Sequence, residues 1–418
     1  MDFDHEKNCI AVVATLDTKG QEAIFICNTL RDKGAETILI DIGSFKAEGI
    51  RADISTEQLL DWAGEEALET ALRKGKAYTS DVIKKALRKK LCHMVSNDIL
   101  QGVLAIGGAQ GTAIASYGMQ RLPLGFPKVI VSTIAGGSTR FGEYVGNRDI
   151  VMIPAIGDIL GLNMITRPIL NSGCGAVLGM AEMADSKPEI EEKKAVAITM
   201  GGITTPCVMR LKEQLEKSGF ESLVFHCNGV GYKLIDELAG QGKLAGVIDI
   251  SPHEISGMLF DGLMKCEDTR FQQVYASDIP VITTPGLLDI ILISPDALNK
   301  AEYASRAYYS HTAFHTHVRC NREELKREGE YLAEKLNKSN CKYLVMVPEK
   351  GFSMFNKPGE VIYDEDANQG FVQGLISGGL DCTKLISLPF HINDRKFADA
   401  VAERFLQMFN GDMHNEET

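Results

Sequence analysis

Ile10-Ala11-Val12-Val13-Ala14-Thr15-Leu16-Asp17-Thr18-Lys19-Gly20 is the stretch from which the fold can be read. Its first five residues form a short unbroken apolar run, the pattern of a strand covered on both faces. The polar turn Asp17-Thr18-Lys19-Gly20 follows. After it Ala23, Ile26, Cys27 and Leu30 recur at helical spacing, and Gly34 is a natural helix stop. Thr37-Ile38-Leu39-Ile40-Asp41 then reads as a second strand. Strand, helix and strand in that order make a βαβ unit, because two parallel strands need a crossover between them.

Outward from this unit, Gly102-Val103-Leu104-Ala105-Ile106 and Lys128-Val129-Ile130-Val131-Ser132 read as strands three and four. The roughly sixty residues before strand three exceed one simple crossover and predict two helices. The first opens with a capping box, Ser55 with Gln58, ahead of Leu59 and Leu60. The second covers 81–95, and its Lys84, Lys85, Arg88, Lys89 and Lys90 read as a solvated face. Polar residues 185–194 lose the periodic pattern and predict a boundary, with a nucleotide-binding domain over 1–188 and a second domain over 189–418.

Beyond the boundary the pattern repeats. Ala195-Val196-Ala197-Ile198-Thr199 matches 10–14 at an offset of 185 residues, and Leu211 and Leu215 fall opposite Ile26 and Leu30. Gly219 falls opposite Gly34, and Leu223-Val224-Phe225 opposite Ile38-Leu39-Ile40, with no gap. Residues 244–248 echo 100–104, and 279–283 echo 126–130. Extra strands are expected near 343–347 and 384–388. The reading is α/β: two Rossmann-like, mostly parallel open sheets flanked by helices and related as an internal duplication.

Composition narrows the function classes. The chain has 418 residues, 44% hydrophobic and 24% charged, an ordinary globular mixture. Its 44 Lys and Arg against 56 Asp and Glu leave a net charge of −12, which argues against nucleic acid or an anionic membrane as partner. No apolar run reaches the length of about 18 residues that a membrane helix needs. The acidic start, Met1-Asp2-Phe3-Asp4-His5-Glu6, is unlike a signal peptide. Ten cysteines without a Cys-x-x-Cys pair predict free, buried thiols in a reducing cytoplasm.

Ligands of open α/β sheets bind at the carboxyl ends of the strands, so the turns there carry the chemistry. Gly107-Gly108-Ala109-Gln110-Gly111-Thr112 follows strand three and opens a helical pattern, where free backbone N–H groups attract phosphate. Asp17, Thr18, Lys19 and Gly20 pair a cation with a hydroxyl after strand one. Ser132-Thr133-Ile134-Ala135-Gly136-Gly137-Ser138 after strand four is again small and hydroxyl-rich. Together these turns predict a polyphosphate cradle, with Lys19 as its cation and Gly107, Gly108, Gly111, Thr112, Thr133 and Gly136 along its wall. Asp41 ends strand two where an acid commonly meets a ribose hydroxyl, or simply turns the chain.

The second half carries histidines instead. His226 ends its second strand and His253 follows its third, so both belong to one sheet edge and could move protons on a small ligand between the domains. His311, His315 and His317 are spaced suggestively for a metal but lack the glutamate of a zincin, and no metal is assigned. His391 and Asp394 lie further on.

Residues 14–20, 107–112 and 131–133, with Thr204-Thr205-Pro206-Cys207-Val208 and His391-Ile392-Asn393-Asp394, resemble the signature turns of an uncharacterised bacterial and plant family. That family contains the amino-terminal, ATP-binding region of a tomato mosaic virus resistance protein, an inhibitor of viral RNA replication. The resemblance covers nearly the whole chain. It implies two Rossmann-like domains, ATP with magnesium in the first, and a homodimer. The plant protein continues into a TIM-barrel-like domain, so a separate TIM-barrel-like chain is a further implied partner. This sequence has His311-Thr312-Ala313 where the family reads His-Asn-Pro, and the antiviral role is not carried over.

The reading that follows is a cytoplasmic nucleotide-binding protein with a second small-molecule site. One alternative is an enzyme of acyl or carboxylate metabolism, with a TIM-barrel partner, in which His226, His253 and His311 handle protons. Another is a nucleotide-stabilised interaction scaffold. Whether the chain is an enzyme stays open on sequence alone.

Overall fold

The strand expected at 10–14 spans Cys9–Ala14 (β1) and pairs in parallel with Glu36–Asp41 (β2). These come from a computed structural model that describes residues 8–136, 142–185 and 193–411. Residues 1–6, Gly137 and Ser138, and most of the expected boundary (186–192) lie outside the described residues. Strands Gly102–Gly107 (β3), Lys128–Ser132 (β4) and Val151–Pro154 (β5) complete a first sheet in the order β2-β1-β3-β4-β5, parallel throughout. The chain leaves β1 toward one side and returns on the other, so the switch point lies between β1 and β3.

Alternate strand residues feed two cores. Ala11, Val13, Val103 and Ala105 pack with the helices Thr56–Ala63, Lys76–Ser96 and Ala109–Met119. Ile10, Val12, Leu104 and Ile106 pack with Leu16–Asp32 and Thr166–Asp185. The capping box at Ser55 and Gln58 forms as expected. Three helices rather than two lie between β2 and β3, because Leu68–Arg73 forms a short helix of its own between the others. The polar residues 17–20 are not a free turn. They are the first turn of the helix, kinked at Lys19 (φ −127°, ψ 21°).

The chain divides into two compact units, Met1–Ile190 and Glu191–Thr418. In the second, Ala195–Met200 (β6), Glu221–His226 (β7), Leu244–Asp249 (β8) and Pro280–Thr283 (β9) repeat the first four strands in the same spatial order. A small antiparallel sheet intervenes, formed by Ile290–Ile293 (β10), Tyr308–Ser310 (β11) and Thr316–Arg319 (β12) in the order β10-β12-β11. Lys342–Pro348 (β13) and Leu385–Leu388 (β14) then extend the parallel sheet, as the sequence predicts.

The gapless repeat is corrected by one residue. Ile10 pairs with Thr37 and with Gly102, whereas Val196, not Ala195, pairs with Ser222 and with Gly246. Val196 and Ile198 face the helix Thr205–Lys217 as Ile10 and Val12 face theirs. The strand offset is therefore 186 while the helix and β7 keep 185, since an unslipped match would turn every side chain to the wrong face.

Candidate functional site

At the switch point of the first sheet the expected turns do meet. A Cβ on Gly111 would stand 3.7 Å from Cγ2 of Thr15, and one on Gly108 would stand 3.7 Å from Oγ1 of Thr133. Gly108 precedes the helix Ala109–Met119 and no side chain caps it, leaving the first-turn N–H groups open to a ligand. Hydroxyls of Thr15 and Thr18 lie 3.0 Å apart at the neighbouring turn, and Asp17 is half-buried beside them. Gly136 is exposed in the turn after β4.

Other expected cradle residues serve the fold. The Lys19 ammonium donates to the carbonyl of Ile159 and forms a 3.3 Å ion pair with Asp158, so it tethers the loop after β5 and is not a free cation. Asp41 is buried, and its Oδ1 accepts the amides of Leu16 (3.0 Å) and Gly43 (2.8 Å). Burial pushes its carboxyl above the usual range despite those two donors, and Asp17 adds to the rise. That oxygen is spent on holding the β1 and β2 turns together. Thr112 hydrogen-bonds Ser132 at 2.6 Å and is fully buried. Gly107 exists for close packing, since a Cβ would come within 3.0 Å of the Gly111 backbone. Gly20 similarly makes room for Ile50.

Sequence reasoning missed the loop after β2. Together with Asp41, Gly43 and Thr56 it encloses a cavity of about 760 Å³ that also takes Lys46, Arg51 and Asp53 into its wall. Gly43 joins this cavity to the cradle, because a Cβ there would stand 3.2 Å from the Asp17 carboxylate. Lys46 and Arg51 are exposed there.

In the second unit the structure gathers His226, His253, His311, His315 and His317 around one cavity of about 230 Å³. His226 comes from the end of β7 and His253 from the start of the helix Glu254–Leu259. The other three come from the β11–β12 hairpin, whose turn closes through the His311 amide and the His315 carbonyl at 3.0 Å. Pairing distant strands is what collects them, so spacing along the chain held only part of the signal. Gly201, Ile203, Cys227, Met264, Leu287 and Leu292 add an apolar wall, and among the described residues no Asp, Glu, Lys or Arg lines it.

Two of these imidazoles are buried. His253 Nδ1 donates to the carbonyl of Leu287 at 3.0 Å, which leaves Nε2 as the lone-pair nitrogen. Leu287 takes a left-handed conformation there (φ 60°), uncommon for a branched residue and suited to a site that needs its carbonyl turned inward. Burial lowers His253 to about 4. His317 is only 7% exposed, its Nδ1 has no hydrogen-bond partner, and its ring stacks on His311 at 5.0 Å. Burial, then His253, His311 and His315, lower it to about 3. His391 lies elsewhere: Nε2 donates to the Ser353 carbonyl and Nδ1 accepts the Asn393 amide, which fixes the loop before the last helix.

A buried ion-pair network stiffens the segment that carries His253. Arg270 grips Asp249 with two bonds of 2.8 and 2.9 Å and Glu254 with one of 3.0 Å, and Glu254 also accepts the Gly229 amide. Among the described residues no group of three or more His, Cys, Asp or Glu is arranged to hold a metal ion. No helix among them is long and apolar enough to cross a membrane.

Two doubly wound α/β units, each with its polar turns at the carboxyl edge of a parallel sheet, define a two-domain Rossmann-like protein. More narrowly, the chain belongs to the uncharacterised protein family UPF0261, whose N-terminal domain matches residues 8–186 and C-terminal domain residues 193–409. It is 33% identical to a UPF0261 protein of Clostridium tetani, over 96% of this chain and 98% of that one. It is 35% identical to the ToMV resistance protein Tm-1(GCR237) of Solanum lycopersicum, over 80% of this chain and 45% of the tomato protein. Among solved structures, UDP-GlcNAc 2-epimerase of Methanocaldococcus jannaschii is similar at 9% identity and a TM-score of 0.21, covering 88% of this chain and 99% of that one, too slight a likeness to bear on function.

Proposed function

We propose that the first domain binds ATP, as its magnesium complex, at the carboxyl edge of its sheet. The observation that carries this reading is the uncapped N-terminus of the helix Ala109–Met119 beside the switch point, facing the hydroxyl-bearing turns of Thr15, Thr18 and Thr133. Backbone amides and hydroxyls of that kind suit phosphate oxygens. The adjoining cavity falls within the 300–1,000 Å³ usual for small-molecule sites and brings Lys46 and Arg51 to the same edge. The half-buried Asp17 carboxylate, which accepts the Phe45 amide at a long 3.3 Å, fits magnesium held mainly by phosphates. That ion would neutralise phosphate charge. We place this role in the cytoplasm, where the eight buried free thiols are at home.

Calorimetry with magnesium–ATP tests the assignment. Gly108→Val and a Lys46→Ala/Arg51→Ala double variant are each expected to weaken binding about tenfold or more, a loss of about 1.4 kcal/mol. Lys19→Ala is expected to change affinity far less, since its ammonium is already engaged. Absence of binding by the parent at millimolar nucleotide ends the proposal.

A second reading, an enzyme acting on a small acyl or carboxylate substrate, is favoured by the histidine cavity of the second domain. In it His226, His253 and His311 exchange protons with the substrate, and Nε2 of His253 is the base.

A further inference from the structure

The histidine cavity has a physical character that the proton-handling reading does not use. Five imidazoles face a wall otherwise built of glycine, aliphatic, thiol, thioether and hydroxyl groups, so the site holds several potential positive charges and no negative one. In the empty cavity a proton on either buried ring has little to stabilise it. Charged, His317 would leave Nδ1–H without an acceptor, because no atom of the described residues partners that nitrogen. The same proton would also face His311 in a ring stack at 5.0 Å. His253 already donates through Nδ1 to Leu287, so a second proton would sit on Nε2.

The other titratable groups around these rings offer no counter-charge. His226 and His315 are imidazoles, and the Cys227 thiol is pushed strongly upward by burial. Tyr309, 6.3 Å from the His317 ring, brings a phenol and not a carboxylate. Arg319 on β12 is committed to the carbonyls of Asp289 and Asp364 and to Asn368. Glu254, next to His253, is turned to Arg270 and the Gly229 amide. An anion entering the cavity would supply both the missing acceptor and the missing charge.

We propose that the cavity of the second domain binds a small organic carboxylate together with a proton, the proton lodging on the His253–His317 pair. The proposal rests on the second small-molecule site described above and names its ligand class and its coupling. Size limits the ligand: about 230 Å³ is the share of about seven or eight waters, room for a short-chain acid and not for a nucleotide. Met264, Leu287 and Leu292 receive the alkyl part. The carboxylate accepts from protonated imidazole, a charge-assisted bond in a low-dielectric pocket. No bond is made or broken beyond the transfer of one proton from solvent to imidazole.

Titration calorimetry on the full chain with acetate, butyrate and 2-oxobutyrate, in buffers of different ionisation enthalpy, reads the coupling directly. The expected result is binding with uptake approaching one proton per ligand near neutral pH. Affinity should fall toward tenfold per pH unit on the alkaline side. His317→Gln and His253→Gln should remove most of the uptake. His311→Ala, at an exposed position, keeps the test informative if a buried variant fails to fold, and is expected to reduce uptake in part. The proposal is overturned by no binding of any acid at millimolar concentration, by binding without proton uptake, or by equal affinity for the neutral amide butyramide. Equal amide binding would spare the small-molecule site while removing its anion and proton. Tight cobalt(II) binding with ligand-field bands lost in the histidine variants would replace the proposal with a metal centre. ATP titrated in the same series reports separately on the first domain.

Discussion

Lys19 shows what a short motif can and cannot say. A lysine beside a threonine at a helix start reads as a phosphate ligand, yet its ammonium is claimed by Ile159 and Asp158, about 140 positions further along the chain. Asp41 is the same case, its carboxylate taken by two amides that only the folded turns bring together. The histidines behave in the opposite way: His226 and His253 were legible at a strand end and a strand-following turn, and folding added His315 and His317 to them. Their burial makes a prediction about pH. An unfolded histidine takes up its proton near 6.5, whereas folded His253 does so near 4 and folded His317 near 3. Between those values the unfolded chain binds more protons, so this stability is complete above about pH 6.5 and lost as the pH falls through about 4 for His253 and about 3 for His317. Each ring should contribute a slope of about 1.4 kcal/mol per pH unit within its window. Urea midpoints of the ligand-free protein at pH 7 and pH 5 check it, with the His253→Gln/His317→Gln double variant expected to flatten the dependence. An equally steep loss in that variant would assign it to other groups.

Strands and helices were largely legible, because their apolar periods reflect local geometry that a parallel sheet demands. β5 was not: the apolar run Ile150-Val151-Met152-Ile153 is only four residues long, half-exposed at the sheet edge and closed by Pro154. The sheet of β10, β11 and β12 also escaped, since its strands hold three or four residues and pair across a long insertion. Register escaped as well. The one-residue slip between the two halves is invisible in a pattern of consecutive apolar residues, because both faces of a buried strand look alike. Gly102 and Gly246 give the corrected register a test, since they occupy equivalent positions opposite Ile10 and Val196. A Cβ on Gly102 would meet Ile10 and Val177 at 2.9 Å, while one on Gly246 would meet Phe405 at 2.5 Å and the Pro280 carbonyl at 2.8 Å. Both alanine variants should lose stability by about 1–3 kcal/mol, the usual range for overpacking. Gly246→Ala should lose more, because a backbone carbonyl cannot turn aside as a side-chain end can. Chemical denaturation reads the difference, and two neutral variants would mean that the register is misassigned.

Each unit has cores on both faces of its own sheet, built from its own residues. A fragment of residues 193–411 is therefore expected to fold alone, with a single cooperative thermal transition by circular dichroism; a fragment that stays unfolded would show that the second sheet depends on the first. Two α/β halves, their strand order as far as the fourth strand, their repetition and the edge at which ligands would sit all follow from the order of apolar runs, glycines and polar turns. They follow because a parallel strand must be covered on both faces and must be reached by a crossover, constraints that act within some thirty residues. Which polar side chains are left for a ligand was settled by contacts between distant segments. The loop after β5 took Lys19, the turn after β2 brought Lys46 and Arg51 to the edge, and a hairpin more than fifty residues beyond His253 closed the histidine cavity. A lone-pair nitrogen or an ammonium is free or spent according to its nearest neighbour in space, and chain order alone does not name that neighbour.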